Sequence, residues 1–228
     1  MSVLYIVSTP IGNLKDITLR AIDVLKNVDL ILCEDTRVTK KLLEHYQIKT
    51  LPLSYHQHSK LKKVEYILNL LKEGKNLALV SDAGTPGISD PGNRLITKIM
   101  EVGLPLVRIV PIPGPSAVTT AASISGFPMD KFIFLGFPPT KRKRKKFFEE
   151  VVNSKYPVIF YESPHRIIKT LNELNLKAKT YNLKPEIVVC RELTKKFETI
   201  YRGKIDEVIK GIEKDKVKGE FVVVVEGK

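Results

Sequence analysis

The sequence predicts an α/β protein of two domains, the first on a mainly parallel sheet and the second on a mixed one. Three observations lead there. Short apolar runs alternate with segments whose apolar residues recur at helical spacing, the pattern of strand–helix units with right-handed crossovers. Residues 111–115, Pro-Ile-Pro-Gly-Pro, can continue neither a strand nor a helix, so a boundary is expected there, with domains over 1–112 and 113–228. The 228 residues leave room for two units of about a hundred each.

Taken in order, the run 3–7 reads as a first buried strand, followed by a turn at 8–13 and an amphipathic helix over 18–26. A second strand spans 29–33, and a helix follows the polar residues 34–37 to about Tyr46. Residues 61–71 carry Leu61, Val64, Leu68 and Leu71 on one stripe, a third helix. Strand 76–80, a Gly-rich turn, helix 91–101 and strand 106–110 complete the first half. Asp90 is expected to cap the helix, with Pro91 at its first position. After the prolines comes a small, Ala-rich helix at 116–124 that could pack closely. Strands are then expected at 132–135, 158–161, 187–190 and 220–225, with an edge strand at 198–201. Helices are expected from the basic run 141–146 to about Val152, from the Ser163-Pro164 cap to Leu174, and over 204–212.

Net charge is +13 and uneven. Residues 1–115 hold 15 Lys/Arg against 11 Asp/Glu, and residues 116–228 hold 23 against 14. The excess in the second half suggests a polyanionic partner, RNA above all. Cys33 and Cys190 each close an apolar run, as buried thiols of a reducing compartment do. No apolar run reaches the roughly 18 residues of a membrane helix, and the opening residues lack a signal-peptide pattern. A cytoplasmic protein without membrane contact is therefore expected. His56 and His58 alternate without a third ligand nearby, so no metal is expected.

The most informative stretch is 81–92, Ser-Asp-Ala-Gly-Thr-Pro-Gly-Ile-Ser-Asp-Pro-Gly, at the end of an apolar strand. Such a turn sits where open α/β sheets bind ligands, and its glycines permit close approaches that a Cβ would block. It lacks both the Gly-Lys-Ser/Thr ending of a phosphate loop and the Gly-x-Gly-x-x-Gly spacing of dinucleotide binders. Asp82 suits ribose hydroxyls or a cationic group better than a pyrophosphate. Further polar clusters end other strands: 8–13, Glu34-Asp35-Thr36-Arg37, 162–166 and 191–196. In a parallel sheet such ends share one rim and can converge on one cleft.

These residues together resemble the ribosomal RNA small subunit methyltransferase I family, of the tetrapyrrole methylase superfamily. The resemblance rests on Ile11-Gly-Asn-Leu and Asp16-Ile-Thr18, on 33–37, on 81–92, on Pro111-x-Pro-Gly-Pro-Ser-Ala117, on Phe134-Leu-Gly-Phe-Pro138 and on Tyr161-Glu-Ser-Pro-His-Arg166. It covers nearly the whole chain, in family order. It implies two α/β domains with S-adenosylmethionine in a cleft between them, a homodimer, and methyl transfer to the ribose 2′-hydroxyl of a cytidine in 16S ribosomal RNA. It implies donor contacts from Pro10 and Ile11, from Ser81, Asp82, Ala83, Gly84 and Gly87, from Ser116 and Ala117, and from Glu162 and Leu193.

A hydroxyl acceptor needs its proton removed, and Glu34, Asp35 and Glu192 are the candidate bases, unresolved among themselves. Arg37, Arg166 and Lys196, with Lys141, Arg142, Lys143 and Arg144 of the basic run, are candidates to grip phosphates. Phe147 and Phe148, beside that run, are expected to pack the following helix. Two other readings stay open: methylation of a small tetrapyrrole, whose acid groups could also use the basic residues, and RNA binding without catalysis.

Overall fold

In the first half of the chain, strands β1 (Ser2–Val7), β2 (Leu30–Cys33), β3 (Pro52–Ser54), β4 (Leu77–Val80) and β5 (Val107–Ile112) form one sheet in the order β3-β2-β4-β1-β5. Every pair is parallel. The computed structural model describes residues 2–56, 61–90, 92–103 and 107–228, and the chain divides into two units, residues 1–116 and 117–228. Pro91, Leu106 and His58 lie outside the described residues.

Helices α1 (Leu19–Asn27), α2 (Thr36–His45), α3 (Leu61–Lys72) and α4 (Gly92–Glu101) cover the sheet. Strand alternation assigns the faces. Val7, Ile31, Cys33, Ala78 and Val80 pack with Ala21 and Leu25 of α1 and with Leu42 and Leu43 of α2. Leu4, Ile6, Leu32, Leu77 and Leu79 pack with Ile67, Leu68 and Leu71 of α3 and with Leu95 and Ile99 of α4. β4 thus sends its chain to the opposite face from both of its neighbours, β1 and β2. A crevice opens at the carboxyl ends where connections diverge in this way. Thr18 caps α1, its hydroxyl accepting from the Ala21 amide at 3.1 Å. The pattern of apolar residues had not pointed to β3, a three-residue edge strand that begins with proline and is only half-buried.

The second unit is mixed, in the order β6-β7-β10-β8-β9. Its strands are β6 (Ile133–Phe134), β7 (Val158–Glu162), β8 (Glu186–Arg191), β9 (Thr199–Lys204) and β10 (Phe221–Val225). β6 runs parallel to β7, and β10 runs antiparallel to both β7 and β8. The carboxyl ends of β6, β7 and β8 therefore share one rim. Helices α6 (Arg144–Asn153), α7 (Ile167–Thr180) and α8 (Ile205–Lys214) bury one face, with Phe147, Phe148 and Phe160 in the core. Helix α5 (Ala117–Ser125) packs on β7 and β10, and Arg202 donates to the carbonyls of Ile124 and Ser125 at its end. Both cysteines are buried free thiols. Desolvation pushes the Cys190 thiol up to about 12.

Two helix starts differ by more than one residue from those the sequence predicts. α6 begins at Arg144, after Lys143 takes a left-handed conformation (φ 65°), so half of the basic run precedes the helix. α7 begins at Ile167 and reaches Thr180. The Ser163 carbonyl accepts from the amides of both Arg166 and Ile167, closing a turn before the helix proper.

Candidate active site

At the carboxyl rim of the first sheet, the loop after β4 is stapled to its neighbours. Thr9 and Gly84 exchange amide–carbonyl bonds at 3.0 Å in both directions, and the Thr9 hydroxyl donates to the Ser81 carbonyl at 2.9 Å. The Ser8 and Thr85 hydroxyls bond at 3.0 Å, and Thr85 donates onward to the Pro115 carbonyl. Gly84 holds φ at +84°, and a Cβ there would stand 3.3 Å from the Ile11 methyl and 3.7 Å from the Pro115 oxygen. A Cβ on Gly114 would meet the Ser8 side chain at 3.0 Å. The loops after β1, β4 and β5 interlock through positions where backbone approaches backbone. Asp90 folds the far side of the loop, one carboxylate oxygen accepting from the amides of Gly87 and Gly92 at 2.7 Å each.

Four carboxylates gather here with unequal surroundings. Asp35 caps α2 and takes a bidentate grip from Arg37, whose hydrogen bonds hold its carboxyl down at about 2. Its lone pairs are engaged, so it is a weak proton acceptor. The Asp35 amide donates to Asp82 at 3.1 Å and orients that side chain. Burial raises Asp82, and the charges of Asp35 and Asp90 add to the effect against that amide bond. Burial likewise raises Glu34, followed by the charges of Asp90 and Asp82. Among the described residues, Glu34 Oε1 and Asp90 Oδ2 are buried without a hydrogen-bond partner. Orphaned carboxylate oxygens in a desolvated, like-charged group mark a place awaiting a cation or hydroxyl donors.

The first unit thus brings Pro10, Ile11, Ser81, Asp82, Ala83, Gly84, Gly87, Glu34 and Asp35 to one rim, and Ser116 follows β5 at that same rim. Ser8, Thr85 and Asp90 join them; the motif 81–92 contained two of these, but only as loop and cap residues. Arg37 stands beside Asp35 with most of its side chain exposed.

In the second unit, Glu162, Leu193, Glu192, Arg166 and Lys196 follow the ends of β7 and β8 on their shared rim. Ala117 opens α5. The Glu162 side chain is fully buried. Its oxygens accept from the Arg166 guanidinium at 2.7 Å, the Ser163 amide at 2.8 Å and the Thr170 hydroxyl at 2.6 Å. Its carboxylate is therefore occupied internally. Arg144, expected from the sequence to grip phosphates, is corrected to a buried strut. It donates to Glu173 at 2.6 Å, Thr170 at 2.7 Å and the Pro139 carbonyl at 3.0 Å. A guanidinium flanking the Phe148 ring and so engaged is withdrawn from solvent. Arg166 is similarly committed, to Glu162, Ser163 and the Pro138 carbonyl. Lys141, Arg142, Lys143 and Lys196 are exposed.

Glu192 sits in a loop where it and Thr194 hold φ at 52° and 66°. Burial would raise its carboxyl, but bonds from Lys195 and the Glu220 amide outweigh that and hold it low. Of the three candidate bases, only Glu34 combines a raised pKa with an unengaged oxygen.

A sequence model of the tetrapyrrole (corrin/porphyrin) methylases matches residues 3–209. The chain therefore belongs to this family, whose members take their methyl group from S-adenosylmethionine. Within it, the chain groups with the ribosomal RNA small subunit methyltransferase I proteins. It is 47% identical to that protein of Bacillus subtilis over all of this chain and 76% of the relative. Against the Thermotoga maritima protein of the same name it is 44% identical, with full coverage of both chains. Among solved structures, uroporphyrin-III-C-methyltransferase from Thermus thermophilus superposes with a TM-score of 0.67, over 98% of this chain and 94% of that one, at 16% identity.

The rim of the first unit fits such a donor. Its sulfonium and amino group are cations and its ribose carries hydroxyls, which suit Glu34, Asp82 and Asp90. Gly84 lets the loop lie close against Ile11 and Pro115, where a Cβ would crowd them. No helix among the described residues is long and apolar enough to cross a membrane.

Proposed function

We propose that this protein methylates the ribose 2′-hydroxyl of a cytidine in 16S ribosomal RNA. The observation that carries the reading is whole-chain identity of 44–48% to proteins named ribosomal RNA small subunit methyltransferase I. On this reading the protein works in the cytoplasm, as a homodimer, on the small ribosomal subunit.

The bound donor supplies a methyl group already attached to a good leaving group. The protein's task is then to hold acceptor and donor in line, worth roughly 7–11 kcal/mol in favourable systems. Glu34 receives the proton of the attacking hydroxyl on its carboxylate. Its raised pKa brings it nearer the working range of a general base. Asp82, oriented by the Asp35 amide, and Asp90 carry the negative charge that favours a cation beside Glu34. Pro10, Ile11, Ala83, Gly84, Gly87, Ser116, Ala117 and Leu193 contribute shape and backbone contacts to the donor. Lys141, Arg142, Lys143 and Lys196 neutralise phosphates.

The test is transfer of labelled methyl from S-adenosylmethionine to small ribosomal subunits from a strain lacking the activity. The expected product is 2′-O-methylcytidine in 16S ribosomal RNA. Absence of label on RNA together with label on a tetrapyrrole would favour the other acceptor, which the family description keeps in view.

A further inference from the structure

We propose that Phe137 is a stacking platform for a base of the RNA substrate, an inference that rests on the proposed action on RNA. Phe137 is 51% exposed and lies three residues beyond the end of β6. Gly136 (φ 63°) turns the chain out of β6 while its carbonyl still accepts from the Tyr161 amide at 2.8 Å. The Tyr161 ring meets Phe134 at 5.0 Å and Phe137 at 5.4 Å, both edge-on, so one edge of Phe137 is supported.

The two prolines after Phe137 are pinned. The buried Pro138 gives its carbonyl to Arg166 at 3.2 Å, and Pro139 gives its carbonyl to Arg144 at 3.0 Å. Two arginines and the whole Glu162–Thr170–Glu173 network thus fix two consecutive carbonyls directly after an exposed ring. Phe137 itself is not among the residues of the second core. Immediately beyond come Lys141, Arg142 and Lys143, all exposed.

A rigidly mounted aromatic face beside a short cationic stretch is how proteins hold unpaired nucleotides. The ring stacks on a base while the cations track the backbone. Such an anchor would fix the position of an unpaired nucleotide, and with it the ribose beside it.

The chain has no tryptophan, so Phe137→Trp introduces a single fluorophore at the proposed platform. Single-stranded oligocytidylate should quench its emission saturably. Phe137→Ala should raise KM for small subunits about 5- to 150-fold, the range for one lost stack, with donor affinity by calorimetry unchanged. Phe137→Tyr should keep the wild-type KM. Unchanged KM in Phe137→Ala, or no quenching at saturating oligonucleotide, would overturn the proposal. So would a change of oligomeric state in Phe137→Ala by sedimentation, which would make the ring a subunit contact. Failure of the wild-type protein to methylate RNA at all would instead remove the parent reading.

Discussion

Replacing Thr170 with valine tests the network that holds the second rim. The Thr170 side chain is fully buried, donating to Glu162 at 2.6 Å and accepting from Arg144 at 2.7 Å. Valine keeps the shape and deletes both bonds at once. Hydrogen bonds to charged groups contribute roughly 1.5–3 kcal/mol each, so the pair is worth about 3–6 kcal/mol. Glu162 keeps Arg166 and Ser163, and Arg144 keeps Glu173 and Pro139, which favours the low end. The expected loss is therefore about 3 kcal/mol in urea unfolding, or a melting temperature lower by about 6–12 °C. Thr170→Ser is the control, since it keeps the hydroxyl and forfeits only a buried methyl, about 1 kcal/mol. A Thr170→Val variant within 1 kcal/mol of wild type would show that the two charged groups are not coupled through this hydroxyl.

Three more perturbations address the first rim and the basic stretch. Glu34→Gln should lower kcat about 10²–10⁴-fold at saturating donor. Because the folded state raises the Glu34 pKa, ionised Glu34 costs stability above its unfolded pKa, fully so above the folded one. The variant should therefore melt no lower than wild type at neutral pH, and a large drop in its melting temperature would place Glu34 in the scaffold instead. Gly84→Val forces a β-branched residue into φ +84° against Ile11, costing roughly 1–3 kcal/mol of strain; calorimetry should show donor affinity falling at least tenfold, and full affinity would remove the loop from the site. Changing Lys141, Arg142 and Lys143 together to serine should flatten the slope of log affinity for single-stranded RNA against log salt by about 2. An unaltered slope would free these residues from phosphate contact.

The strand–helix alternation was legible because both cores follow strict periodicities: Leu4 and Ile6 face one way and Val7 the other, as period two demands. The clustering of site residues at strand ends in the first unit was legible for the same reason, since a parallel sheet sends all its carboxyl ends to one rim. The division of labour among like residues was not. Six consecutive basic residues look equivalent in a sequence, yet Arg144 turns inward because helix geometry places it over Thr170 and Glu173 of a helix distant in the chain. The three candidate bases differ only through partners such as Arg37 for Asp35 and Lys195 for Glu192. Glu34 emerges from them by lacking such a partner for Oε1. β3 was invisible because three residues headed by proline carry no period at all.

The position of β1 has a consequence for synthesis. Its partners are Leu77–Val80 on one side and Val107–Ile112 on the other, so the first strand made is completed last. At about 5–20 residues per second, the interval between emergence of Val7 and of Ile112 is about 5–20 s. Throughout that time a nascent apolar segment must be kept from rival strands, and a chain truncated before β5 would leave one edge of β1 open to aggregation.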